Sequence, residues 1–169
     1  PPSKSADVPA LRLAQMILSG GESSRLYREM VRNQKIAQEA SFNADIRLDK
    51  GLLYFLGIAS ESGTSEQLEK AFLGELKKIQ DTPVSAQELE KAKNQLITQT
   101  LRQRENNDGK AIAIERAIAY QGDPLAVNTD IQKLQAVTPA DIQRVMKKYF
   151  TDKNRVVIYY NQAKEEETK

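Results

Sequence analysis

Few side chains in this 169-residue chain are able to do chemistry, and two types are missing altogether: it contains no His and no Cys. A histidine-ligated zinc, a histidine general base and a Ser-His-Asp triad are therefore impossible within it. Disulfides and thiolate metal sites are excluded by the same count. Carboxylates, guanidiniums and hydroxyls remain. Glu88, Glu90 and the Glu115–Arg116 pair fall on helical patterns. Nothing pairs them at a spacing that would move a pKa, so they read as solvated helix faces.

Two loops invite a ligand and fail on inspection. Gly20-Gly21-Glu22-Ser23-Ser24 precedes a helix, where phosphate binds well. It follows a helix rather than a strand, lacks Gly-Lys-Ser/Thr, and puts Glu22 where an anion would sit. Asn106-Asn107-Asp108-Gly109 has some calcium-loop residues without the ligand spacing. Arg32, at a helix end, reads on the pattern alone as a cation facing the negative end of the helix dipole.

These residues depend on a short run of elements. Leu11, Ala14 or Gln15, and Leu18 recur at helical spacing after Asp7 as N-cap, with Pro9 in the first turn. Gly20 and Gly21 end that helix. Glu22, Ser23 and Ser24 can cap a second one, with Leu26, Tyr27, Met30 and Val31 inward. The period then changes to two: Phe42, Ala44, Ile46 and Leu48 face one way, Ser41, Asn43, Asp45 and Arg47 the other. Asp49-Lys50-Gly51 is a turn into Leu52–Ala59, which is apolar on both faces. That marks a central strand covered twice, or one covered by helices on one side and another domain on the other.

Downstream, Thr64-x-x-Gln67 and Ser85-x-x-Glu88 are capping boxes opening two helices. The first turns Leu68, Ala71, Phe72, Leu76 and Ile79 inward, and the second runs to about Glu105. A helix over 110–120 ends at Gly122-Asp123-Pro124, and a short one spans about 129–134. Thr138-Pro139-Ala140-Asp141 starts the last, which ends near Phe150. Asn154–Tyr160 reads as a closing strand. Three strands and about six helices predict an α+β layer, a small mainly antiparallel sheet with helices on one face. Residues 1–6 read as a linker, 7–161 as one domain and 162–169 as a disordered charged tail.

Composition limits the partners. Twenty-five basic and 23 acidic residues are interspersed, giving +2 and no nucleic-acid footprint. The longest apolar run, 51–59, is too short to cross a membrane. The chain starts Pro1-Pro2 without Met, which reads as a domain boundary or a processed end.

Gly20-Gly21-x-Ser23-Ser24-Arg25-Leu26-Tyr27-Arg28-x-Met30-Val31-Arg32-x-x-x-Ile36-Ala37 resembles the second, non-catalytic domain of insulinase/pitrilysin-type zinc metallopeptidases, and the resemblance runs from about Asp7 to Tyr160. It implies a processing-peptidase-like domain that packs on a catalytic zinc-binding domain or subunit absent from this chain. That partner would carry His-x-x-Glu-His and the zinc, while this chain walls the peptide chamber and is inactive alone. It further implies that Arg32 matches an arginine that holds peptide substrate near the zinc. The tyrosine that accompanies it in many relatives is absent, with Gln38 at or near its place. A dimer is compatible with the resemblance, and a bacterial periplasmic setting is slightly favoured by it. The alternative is a stand-alone interaction subunit of the same fold, as among non-peptidase core proteins of respiratory complexes. A zinc lyase of autoinducer-synthesis type fails for want of His.

Overall fold

The computed structural model describes residues 1–161. The elements in order are α1 (Val8–Ser19), a π-helix (Tyr27–Asn33), β1 (Ala37–Asp45), β2 (Leu52–Ala59), α2 (Ser65–Asp81), α3 (Ala86–Gln103), α4 (Asn107–Gln121), α5 (Asp130–Gln135) and α6 (Pro139–Tyr149). β1 and β2 form a two-stranded antiparallel sheet in which Phe42 opposes Phe55 and Ala44 opposes Leu53. Helices cover one face, so the predicted α+β layer holds.

α1 is the central helix. Leu11, Leu13, Ala14, Ile17 and Leu18 are buried around most of its circumference, against α3, α6 and β1. On the helix side of the sheet Phe42, Phe55, Phe72 and Phe150 stack in a cluster with centroid separations of 4.9–5.9 Å. Such pairs contribute beyond their buried area. α2 and α6 exchange caps: Gln80 Nε2 donates to the Met146 and Phe150 carbonyls at 3.0 Å, and Gln143 Nε2 returns a bond to the Gln80 carbonyl at 2.9 Å. These satisfy carbonyls that helix ends otherwise leave open.

The predicted start signals are present at α2, α3 and α6. Thr64 and Gln67 close a reciprocal capping box, as do Thr138 and Asp141. Ser85 accepts the Glu88 N–H at 3.1 Å, but the Glu88 side chain turns away to Arg25, leaving that box half made. Gly122 ends α4 at φ 74°, in the left-handed region that favours glycine.

Four expectations need correction. The helix after Gly21 is wound as a π-helix over 27–33, and Ser24 does not cap it; its buried hydroxyl finds no partner among the described residues. Asp7 precedes α1 without a side-chain cap bond, because its carboxylate is taken up by α6. Residues 1–6 are docked: Ser3 is buried, its N–H bonds the Arg47 carbonyl and its hydroxyl the Tyr120 carbonyl.

The fourth concerns the closing strand. After a 3-10 turn at Asp152–Asn154, residues 155–161 join no ladder and make no backbone hydrogen bond among the described residues. Side chains alone hold them to the start of α2, through Arg155 and Tyr159 on Glu69 and Asn161 on Ser65. An apolar β pattern is a strand only where it pairs with one, and this segment pairs with neither β1 nor β2. The tail predicted for 162–169 lies outside the described residues.

Candidate functional site

The sheet presents its other face bare. Leu52, Tyr54, Leu56 and Ile58 alternate along β2 and are 65, 46, 50 and 47% exposed. Their cross-strand neighbours on β1 are Asp45, Asn43, Ser41 and Glu39. Within this chain helices cover β2 on one side only, so the reading of a strand covered on both faces by its own chain fails among the described residues. Monomeric surfaces seldom leave an aligned apolar row of this kind unused.

The two edges of the sheet are treated differently. On β1, Ser19 Oγ donates to the Phe42 carbonyl at 2.9 Å, and the Ala44 N–H donates to Gln15 Oε1 at 3.2 Å. Side chains of α1 thus seal part of that edge. Because Phe42 and Ala44 turn their backbone groups outward, antiparallel alternation turns those of their partners Phe55 and Leu53 toward the outer edge of β2. No strand pairs with that edge and no hydrogen bond reaches it among the described residues.

Arg32 occupies the last turn of the π-helix, exposed to solvent, with no hydrogen bond or ion pair among the described residues. Around it the helix end is fixed. The Glu29 carboxylate accepts Gln34 Nε2 at 2.7 Å and Asn33 Nδ2 at 3.3 Å, and these two bonds hold it below the usual carboxylate range. The Gln34 N–H bonds the Glu29 carbonyl at 2.9 Å, and the Ile36 N–H reaches the Met30 carbonyl at 3.0 Å. π-helical turns cost stability and recur at functional positions. Gln38, two residues beyond Ile36, is exposed at the start of β1.

The other singled-out acids divide. Glu115 is solvated, and Glu90 is largely exposed while pairing with Lys93. Glu88 is a structural partner instead: both its oxygens accept from Arg25, at 2.8 and 2.7 Å, tying the entry of the π-helix to α3. That bidentate pair raises the Arg25 pKa and was invisible in sequence, with its partners 63 residues apart.

Zinc does not fit this chain. It has neither His nor Cys, and among the described residues no group of three or more Asp or Glu could hold a metal ion. No described helix is long and apolar enough to cross a membrane.

Comparison with known proteins supplies the frame for these features. No curated protein matches the chain. Among solved structures, a protease from Helicobacter pylori superposes with a TM-score of 0.85 at 23% identity over 91% of this chain, which spans 37% of that longer one. The inactive peptidase domain of a candidate zinc protease from Bordetella parapertussis gives 0.80 at 26% identity, covering 92% of this chain and 84% of that one. A candidate zinc protease from Bordetella pertussis gives 0.80 at 27% identity, covering 92% and 86%. The family model described as the peptidase M16 inactive domain matches residues 1–96. With more than half its length matched, the chain belongs to the peptidase M16 inactive-domain family.

Proposed function

We propose that this chain is the non-metal-binding half of a zinc metalloendopeptidase, lining a peptide chamber whose zinc is held by a catalytic partner domain. The observation that carries the reading is the bare row Leu52, Tyr54, Leu56 and Ile58 on the face opposite the helices. A row of that kind is covered by a partner or exposed to an apolar ligand. Family membership supports a catalytic domain as that partner, and a chain without His or Cys suits a division in which the partner holds the metal. Arg32 serves the peptide: a guanidinium unpaired among the described residues, at a helix end, can donate two parallel bonds to a carboxylate or bind a backbone carbonyl.

The chain alone has no catalytic step of its own on this reading. In the complex it would exclude water from the chamber and orient the peptide, while the zinc bound by the partner domain would supply the activated water. The same face would equally serve a stand-alone interaction subunit, so the experiment must separate the two.

Purified chain, zinc and a quenched fluorogenic peptide should give no turnover. Addition of the zinc-bearing domain from the same open reading frame, or from a co-encoded subunit, should give turnover that rises with this chain. Leu56→Glu with Ile58→Glu should weaken the complex while leaving the melting temperature of the isolated chain within about 2 °C, a surface substitution being nearly neutral for folding. Chelator-sensitive turnover by the chain alone would refute the reading. A complex whose turnover ignores this chain would favour the interaction subunit.

A further inference from the structure

The link between the π-helix and β1 is held more tightly than an exposed connection requires. Lys35 has φ 57°, the one positive φ outside glycine among the described residues. L side chains adopt this left-handed region rarely and at a cost, so the neighbours must hold it there. They all belong to one loop, the β2–α2 connection. Ser60 Oγ donates to the Lys35 carbonyl at 2.7 Å and Ser62 Oγ to the same oxygen at 3.1 Å, filling both lone pairs. The Ser60 N–H takes the next carbonyl, of Ile36, at 2.9 Å. Gly63 closes the loop by bonding the Ser60 carbonyl at 3.1 Å, and a Cβ on it would collide with the Ile36 carbonyl oxygen.

Arg32 lies three residues before Lys35, in the last turn of the helix that this link terminates. We infer that Ser60 and Ser62 are positioning residues for Arg32: by pinning the Lys35 carbonyl they fix the direction in which the π-helix ends, and so where the guanidinium can reach. This rests on the reading that Arg32 holds peptide. The two hydroxyl bonds are solvent-exposed. Water can replace them when they are removed, which leaves the fold standing and loosens the turn. A role in positioning therefore separates from one in stability.

The test uses the full chain reconstituted with its zinc-bearing domain, hydrolysing fluorescein-labelled β-casein, an unfolded polypeptide. Arg32→Ala should raise KM about tenfold with kcat little changed, the signature of lost uniform binding through a charged hydrogen bond. Ser60→Ala with Ser62→Ala should raise KM about threefold, and by nothing further in the Arg32→Ala background, as a double-mutant cycle requires of groups acting through one another. Lys35→Asn, which enters the left-handed region more readily, should restore KM in the double serine variant. A KM unmoved by the serine changes, or raised equally with and without Arg32, overturns the inference while a KM effect of Arg32→Ala keeps the reading beneath it. An Arg32→Ala enzyme with unchanged KM overturns both.

Discussion

Asp7 carries more of the tertiary structure than any other single carboxylate described. Its side chain is 7% exposed and accepts Arg144 Nη1 at 2.6 Å, Lys148 Nζ at 2.7 Å and the Tyr149 hydroxyl at 2.7 Å, joining the start of α1 to the end of α6. Burial alone would push this carboxyl up, but the bonds from Lys148, Tyr149 and Arg144 outweigh it and hold it far below the usual range. A depressed native pKa contributes stability above the unfolded value near ~3.9, and that contribution fades as pH falls toward the native one. Asp7→Asn should therefore destabilise by about 2 kcal/mol at pH 7, a figure discounted because Arg144 and Lys148 are half-exposed. Thermal melts should show the gap from the parent chain narrowing between about pH 4 and pH 2.5. A gap independent of pH would mean that the carboxylate's charge contributes little. Asp7 is recognisable in sequence as a helix-start residue, while its partners, 137 to 142 positions away, leave no local trace.

At the scale of elements, what the chain encodes locally is what sequence reading recovers. Thr64 with Gln67 and Thr138 with Asp141 are closed within four residues, so their capping boxes are visible without a fold. Alternation from Ala40 to Ala44 and the turn at Gly51 likewise suffice for the β1–β2 hairpin. Features decided by distant partners escape. Glu88 looks like the second half of a capping box until Arg25 arrives from 63 residues away. Residues 155–160 have strand composition yet pair with neither strand, although the outer edge of β2 is unpaired among the described residues. The π-winding is of the same kind, since no local pattern distinguishes it from an α-helix with Leu26 and Met30 inward.

Substitutions should reveal the same division. Thr64→Ala removes a local cap and should cost about 1 kcal/mol. Glu88→Ala strands a guanidinium whose side chain is 19% exposed and should cost about 2 kcal/mol. Arg25→Ala with Glu88→Ala should cost less than the two singles summed, which denaturant titration of the four proteins in the cycle would measure. Full additivity would show that the bidentate geometry contributes nothing.

The whole molecule is asymmetric across its sheet, and this bears on how it meets other chains. Open strand edges are usually blocked because they pair indiscriminately. β1 follows the rule through Gln15 and Ser19, while the outer edge of β2, beside an apolar row, is unpaired among the described residues. The outward backbone groups of Leu53 and Phe55 have no hydrogen-bond partner among the described residues. Their amides should exchange with solvent orders of magnitude faster than those of Asn43 and Tyr54, which the same alternation directs across the ladder. Partner binding should then act differently on the two kinds of surface. If the catalytic domain covers only the apolar face, Tyr54 and Leu56 side-chain resonances shift while the Leu53 and Phe55 amides stay fast. If it also contributes a strand, those two amides slow with the rest of the sheet. Residue-resolved hydrogen exchange on the free chain and on the complex distinguishes the outcomes. Slow exchange at Leu53 and Phe55 in the dilute free chain would show instead that the edge is already paired, either by a second copy or by residues 155–160.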